Sequence, residues 1–200
     1  MLTKLQVVNS ILRNLGSTAV TSLEVKNPDV QAAEASIDEQ LIIIQSPGWW
    51  FNTQRNVTLP LTQEGCVNLP ANTLKVDTAP ADVDVVQHGT ILFNKDTNSE
   101  TFTVPPVVHI VVAIDWDNLP ISARTVIKYA AMLQVQSDLE GDEGKMVKIE
   151  RSLQQAIFTM KRENVSSRDT NRLSRGRAAT LLRGRIGRGG SSGNFLGGSY

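Results

Sequence analysis

At residues 45–52 the sequence QSPGWWFN separates two patterns of hydrophobic spacing in a chain of 200 residues. Upstream, apolar residues recur at intervals of three and four, the period of a helix; downstream they alternate in short runs as far as Trp116, the period of strands. Ser46, Pro47 and Gly48 stop the helix, because proline cannot continue the hydrogen-bond ladder and glycine tolerates a left-handed exit. Trp49, Trp50 and Phe51 follow at once, in a chain with 3 Trp, 2 Tyr and 5 Phe. Core packing is the plain reading of such a cluster. On an extended backbone neighbouring side chains point to opposite faces, so Trp49 and Trp50 are not expected in one layer. At least one of them should seal the joint between a helical part and a β part, or face a neighbouring subunit.

The helical part opens at residues 3–15, where Leu5, Val8, Leu12 and Leu15 form a stripe that Val7 and Ile11 widen, with Gly16 at the C′ position. Residues 17–26 connect to a second helix that Asn27 can cap, Pro28 can start and Asp29 favours electrostatically. Ala33, Ile37, Leu41 and Ile44 form its inward face. Ile42 and Ile43 carry apolar character around it, so its C-terminal half is expected to be buried on more than one side.

Between Asn52 and Trp116 the candidate strands are 57–61, 66–69, 73–77, 83–87, 90–93, 101–104 and 107–114, divided by Pro60, Gly65, Pro70, Pro80, Gly89 and a turn at 96–99. This predicts a small antiparallel sheet or partly closed barrel. The most apolar strand, 107–114, belongs at its centre, and Pro105 and Pro106 belong at an edge or bend. Helical spacing returns after Asp117 or Asn118 as caps and Pro120 near the first turn, with Val126, Ala130, Leu133 and Leu139 facing inward. The sequence GDEG at 141–144 then breaks this helix from a longer one whose inward residues are Met146, Ile149, Leu153, Ala156 or Ile157, and Met160. The expected class is α+β: a bundle of N- and C-terminal helices (1–48 and 119–164) carrying an inserted antiparallel β domain (49–118).

Zero formal net charge conceals a split. Residues 1–160 hold 11 Lys and Arg against 18 Asp and Glu, a formal −7, whereas residues 161–200 hold 9 against 2, a formal +7. After about Asn164 the sequence predicts a flexible tail (165–200), because too little apolar surface remains to offset the entropy of ordering. In it Arg168, Arg172, Arg175, Arg177, Arg183, Arg185 and Arg188 lie among serines and glycines. Guanidinium forks suit phosphate or carboxylate, so these seven are the candidate contacts to a nucleic acid or an acidic protein surface. With no stacking aromatics between them, base-specific readout is not expected.

Other chemistry is sparse. Cys66 is the single cysteine, which excludes an intrachain disulfide framework or a multi-cysteine zinc site. His88 and His109 lie in separate strand segments, so a metal or thiol site needs all three residues to converge. Asp115 and Asp117, two apart, are read as turn and cap residues before a helix rather than as an acid/base pair. No P-loop, GxGxxG, HExxH or GxSxG occurs, so no catalytic residue, cofactor or metal is assigned and no enzyme is expected. The start of the chain lacks the pattern of a signal peptide, and the longest apolar run, 104–114, is too short for a bilayer span, so a soluble protein is expected.

In this order and spacing, VVNSILRNLGSTAVTSL at 7–23, the Ala/Ile helix leading into QSPGWWFNT, the Leu69-Pro70 step and DNLPISARTVIKYAAMLQVQSDLEGDEG at 117–144 together resemble a known family. It is the tail tubular protein A, or head-to-tail adaptor, family of T7-like short-tailed bacteriophages. The resemblance covers about residues 5–160. It implies a virion protein at the head–tail junction: a homo-dodecameric ring between the portal protein and the tail nozzle, tubular protein B, with double-stranded DNA passing through its bore and no membrane insertion. The chain departs from the family chiefly in its long Arg/Gly tail. Two other classes stand beside this one: a non-specific nucleic-acid-binding protein acting through that tail, and a virion-associated cell-wall hydrolase.

Overall fold

The first helix, α1 (Lys4–Asn14), is fixed at both ends by its own sequence. Thr3 and Gln6 form a capping box, the Thr3 hydroxyl accepting from the Gln6 N–H at 3.2 Å and the Gln6 side chain accepting from the Thr3 N–H at 3.0 Å. At the other end Gly16 takes φ +75°, and the N–H groups of Gly16 and Ser17 donate back to the carbonyls of Arg13 and Leu12, a Schellman exit. In the computed structural model residues 2–79 and 83–175 are described, with side chains to residue 167.

Helix α2 (Pro28–Gln45) starts as its sequence predicts: Asn27 Oδ1 accepts from the Asp29 N–H at 2.8 Å, with Pro28 in the first turn. It buries Val30, Ala33, Ser36 and Ile37, while Leu41 and Ile44 are half-buried against the same core. Ile42 and Ile43 are exposed, contrary to the expected burial on several sides. Helical spacing puts them on the side of α2 turned away from Val30, Ala33 and Ile37.

Helix α3 (Ile121–Leu139) follows a single 3-10 turn at Trp116–Asn118. Pro120 occupies its N-cap without a side-chain cap, so neither Asp117 nor Asn118 has the expected capping role. Its most buried face is Ala123, Val126, Ile127, Ala131 and Val135, with Ala130 and Leu133 only half-buried and Leu139 exposed. The stripe is rotated from the expected one because Arg124 and Gln136, both polar, are buried within it.

Helix α4 (Glu143–Arg175) buries Ile149, Ala156 and Met160, as its spacing predicts. Its backbone continues as helix past Asn164, where the sequence reading ends the ordered body. By internal contacts the chain divides into Met1–Lys161 and Arg162–Tyr200. All the packing described below belongs to the first unit.

The β part is antiparallel. Strands β1 (Thr53–Thr58) and β2 (Thr73–Thr78) flank β5 (Val107–Val112), and β3 (Val85–His88) pairs with β4 (Ile91–Asn94) as a hairpin. The apolar β5 is central in its sheet, as expected, and buries Val108, Ile110, Val111 and Val112. The arrangement is an open three-stranded sheet plus a hairpin, not a barrel. β1 lies upstream of the expected 57–61 because its ladder to β5 runs from Thr53↔Val111 to Thr58↔Val107, through a bulge where Asn56 takes φ +53°. The expected strands 66–69 and 101–104 reduce to the single bridges Cys66↔Thr101 and Asn68↔Ile91. Val67, Leu69, Leu92 and Phe102 nevertheless enter the β core with Val76, Val85 and Val108. A separate helical core gathers α1–α4.

Candidate functional site

Trp49, Trp50 and Phe51 lie in a turn rather than a strand. The alternation argument therefore does not apply, and all three half-buried rings pack against the helical core. Trp50 and Phe51 meet edge to face at 5.0 Å, and the Trp49 indole N–H donates to the Ile44 carbonyl at 2.6 Å.

Two buried amides beside these rings tie helix to sheet. Gln45 ends α2 with no exposed surface. Its Oε1 accepts from the Ile114 N–H at 2.8 Å, and its Nε2 donates to the carbonyls of Ile114 and Leu41, each at 3.0 Å. The side chain thus replaces a neighbouring strand just where β5 runs out. Asn52 is 1% exposed; its Nδ2 donates to the Gln45 and Val112 carbonyls at 3.0 and 3.1 Å, and its Oδ1 accepts from the Trp49 N–H at 2.8 Å. Every side-chain polar atom of both amides has a partner, the condition under which burying them is tolerable. Neither residue stands out in the sequence, since a Gln before Ser-Pro-Gly and an Asn after aromatics read as ordinary punctuation.

A third polar anchor fastens the start of the chain. Arg124, 6% exposed, donates from Nε to the Leu119 carbonyl at 3.0 Å, from Nη1 to Leu2 at 3.1 Å and from Nη2 to Asp117 at 2.8 Å. Its guanidinium carbon stands 6.0 Å from the centre of the Trp116 ring, whose indole N–H also donates to the Leu2 carbonyl. A fourth joins three helices: Asn14 Nδ2 donates to the buried Gln136, Gln136 Nε2 donates to Glu140 at 2.9 Å, and Lys145 Nζ donates to Glu140 at 2.7 Å and to the Asn14 carbonyl at 2.8 Å.

The hydrogen bond from Lys145, with that from Gln136, holds the Glu140 carboxyl below the usual glutamate range. The folded chain therefore binds this proton less readily than the unfolded one. The stabilisation is complete above the unfolded value and is lost as pH falls through the lowered folded value. Glu140→Gln is accordingly expected to flatten the acid side of the stability curve, read as melting temperature from about pH 5 downward. A curve parallel to the parent's over that range would show that Glu140 does not contribute.

The residues considered for catalysis do not converge into a site. His109 Nδ1 accepts from the Asn56 N–H at 3.1 Å in the β1 bulge, His88 stacks on Phe93 at 4.5 Å in the hairpin, and Cys66 is half-buried at its bridge to Thr101. The Asp115 and Asp117 carbonyls serve the 3-10 turn and Arg124 respectively. Among the described residues no group of His, Cys, Asp and Glu is arranged to hold a metal, and no helix is long and apolar enough to cross a membrane. A groove of about 640 Å³ lies between α2, α3 and α4, with Ala130, Leu133, Met146, Val147 and Leu153 as its apolar lining. Such a surface suits protein packing better than substrate chemistry. Arg168, Arg172 and Arg175 fall on the backbone of α4 but their side chains lie outside the described residues, as do Arg177, Arg183, Arg185 and Arg188 altogether.

Buried amides thus join the two parts of the body, and among the described residues no reactive cluster accompanies them. Residues 5–170 match the model of a family described as tail tubular protein. The chain belongs to the tail tubular protein family. Tail tubular protein A of Klebsiella phage KP34 is similar to it, 27% identical over 140 residues that cover 70% of this chain and 75% of the relative. As a tail tubular protein it is a structural protein of the phage tail, not an enzyme. The matched span reaches from α1 into the part of α4 beyond Asn164, so the family likeness includes both the helical bundle and the β part.

Proposed function

We propose that this tail tubular protein is the adaptor of a short-tailed phage: a twelve-membered ring at the head–tail junction, joining portal to tail nozzle and lining part of the channel through which the genome leaves. Family membership over residues 5–170 carries the reading. The body fits such a part, since a connector needs lateral contacts and two end surfaces rather than a reactive pocket. Its acidic excess, a formal −7 over residues 1–160, would keep DNA from adhering wherever carboxylates face the bore. Trp49, Trp50 and Phe51, with Gln45 and Asn52, would form the stiff joint that keeps bundle and sheet in fixed relation within each ring member.

The arginines Arg168, Arg172, Arg175, Arg177, Arg183, Arg185 and Arg188 are proposed to grip an acidic surface of the portal. DNA is the competing partner, less suited because arginines holding phosphates in a bore would retard the genome. Deletion of residues 166–200 is expected to lower portal affinity at least tenfold and to leave DNA binding unchanged across a salt series. All seven arginines changed to glutamine should reproduce the loss. Unchanged portal binding with loss of a salt-dependent DNA affinity would assign the tail to DNA instead.

A further inference from the structure

The groove between α2, α3 and α4 holds negative charge that none of its own residues offsets. Glu143 and Glu150 both line it from α4, and the residues three and four positions from either along that helix are Met146, Val147, Leu153 and Gln154, with no cation among them. The ion pairs among the described residues use other carboxylates: Glu34 and Asp38 with Lys4, Asp77 with Lys75, Asp84 with Lys95, and Glu140 with Lys145. From α2 and α3 the groove takes Gln40, Gln134 and Ser137 as its polar lining, all uncharged, and Gln40 already donates to Gln134 at 2.9 Å. Met146, Val147 and Leu153 thus form an apolar strip beside two carboxylates without partners. Such a surface calls for a segment that carries apolar side chains and cations at short intervals.

The chain contains a segment of that composition. Residues 178–188 read AATLLRGRIGR, in which Leu181, Leu182 and Ile186 stand among Arg183, Arg185 and Arg188 with no acidic residue between them. They lie outside the described residues. Burial of the three aliphatic side chains would supply most of the affinity, since half-exposed ion pairs contribute little, and the arginines would set direction and register.

We infer that residues 178–188 of one copy seat in this groove of a neighbouring copy, with Leu181, Leu182 and Ile186 on the apolar strip and Arg183, Arg185 and Arg188 toward Glu143 and Glu150. This rests on the ring reading and gives its members a strap. A segment that leaves one copy and enters the next makes a head-to-tail contact, the kind that propagates until rotation closes a ring. Arg168, Arg172, Arg175 and Arg177 are then the arginines left for the portal.

The test uses full-length chains with Cys66→Ser, assembled into tails and treated with a bis-maleimide. Val147→Cys puts a thiol in the groove and Leu182→Cys puts one in the segment. A mixture of the two single variants is expected to give covalent dimers and the double variant a ladder of multimers, while each single variant alone stays monomeric. With Ile42→Cys, exposed on α2 and not part of the groove, in place of Val147→Cys, the yield should fall about tenfold. An equal yield there would mean random encounter and overturn the inference. Glu143→Arg with Glu150→Arg should also cut the yield about tenfold, and adding Arg183→Glu, Arg185→Glu and Arg188→Glu should restore most of it. Failure to restore would overturn the proposed pairing, and a double cysteine variant that gives only internally linked monomers would overturn the exchange between copies. Tails that hold the normal number of copies but give no cross-link would overturn the inference while leaving the ring intact; tails in which this chain is present without a second copy beside it would remove both.

Discussion

Replacing Gln45 with leucine is expected to lower stability by about 2–4 kcal/mol, because the leucine fills a similar volume but leaves the Ile114 N–H and carbonyl without the partner that now serves both. For a chain of this size that is a fall in Tm of roughly 5–15 °C. The amide also marks where β5 stops, so the damage should extend beyond one hydrogen bond. Asn52 donates to the Gln45 carbonyl and accepts from Trp49, and both bonds depend on the chain leaving α2 in its present direction. Hydrogen exchange should show faster opening at Ile114 and Trp49 than in the helical core. Urea melts of Gln45→Leu that superpose on the parent's would show that the amide bridge does not hold bundle to sheet.

The second large effect is expected at Arg124. Arg124→Met removes three charge-assisted donors from the carbonyls of Leu2, Asp117 and Leu119. Burying a cation has its own cost, which the methionine relieves, so the net loss is set at about 2–4 kcal/mol rather than the sum of three bonds. Arg124→Lys should recover less than half of it, since one ammonium cannot reproduce a fork aimed at three carbonyls and stacked near Trp116. The first residues should also come loose, because Arg124 and Trp116 both hold the Leu2 carbonyl. Protease cleavage near the N-terminus, rising in the methionine variant before global unfolding, would report this. Equal stability of the lysine variant and the parent would contradict the role given to the fork.

The positions that local chemistry decides were legible. Thr3, Gly16, Asn27 and Pro28 bound two helices in sequence and in structure alike, since a cap needs only residues within one turn of it. The central place of β5 was legible too, because a strand buried on both faces must be apolar nearly throughout. What escaped depends on partners far along the chain. Gln45 meets Ile114 across 69 residues, and no local signal separates it from a solvated glutamine at a helix end. Arg124 and Gln136 are buried polar residues, so a stripe drawn from apolar residues alone was rotated off the true inward face of α3. Trp49 and Trp50 were assigned to opposite faces on the assumption of extended backbone, which the turn there removes. Ile42 and Ile43 were expected inside because apolarity was taken for burial, and both are exposed on α2.

The central claim is that copies of this chain form a closed ring on the portal. Native mass spectrometry of the complex formed with an assembled portal tests it most directly. Twelve copies of the 21.9 kDa chain per portal ring are expected, with no stable intermediate number at saturation. A portal ring saturated by a single copy, or by a number that varies continuously with concentration, would contradict it.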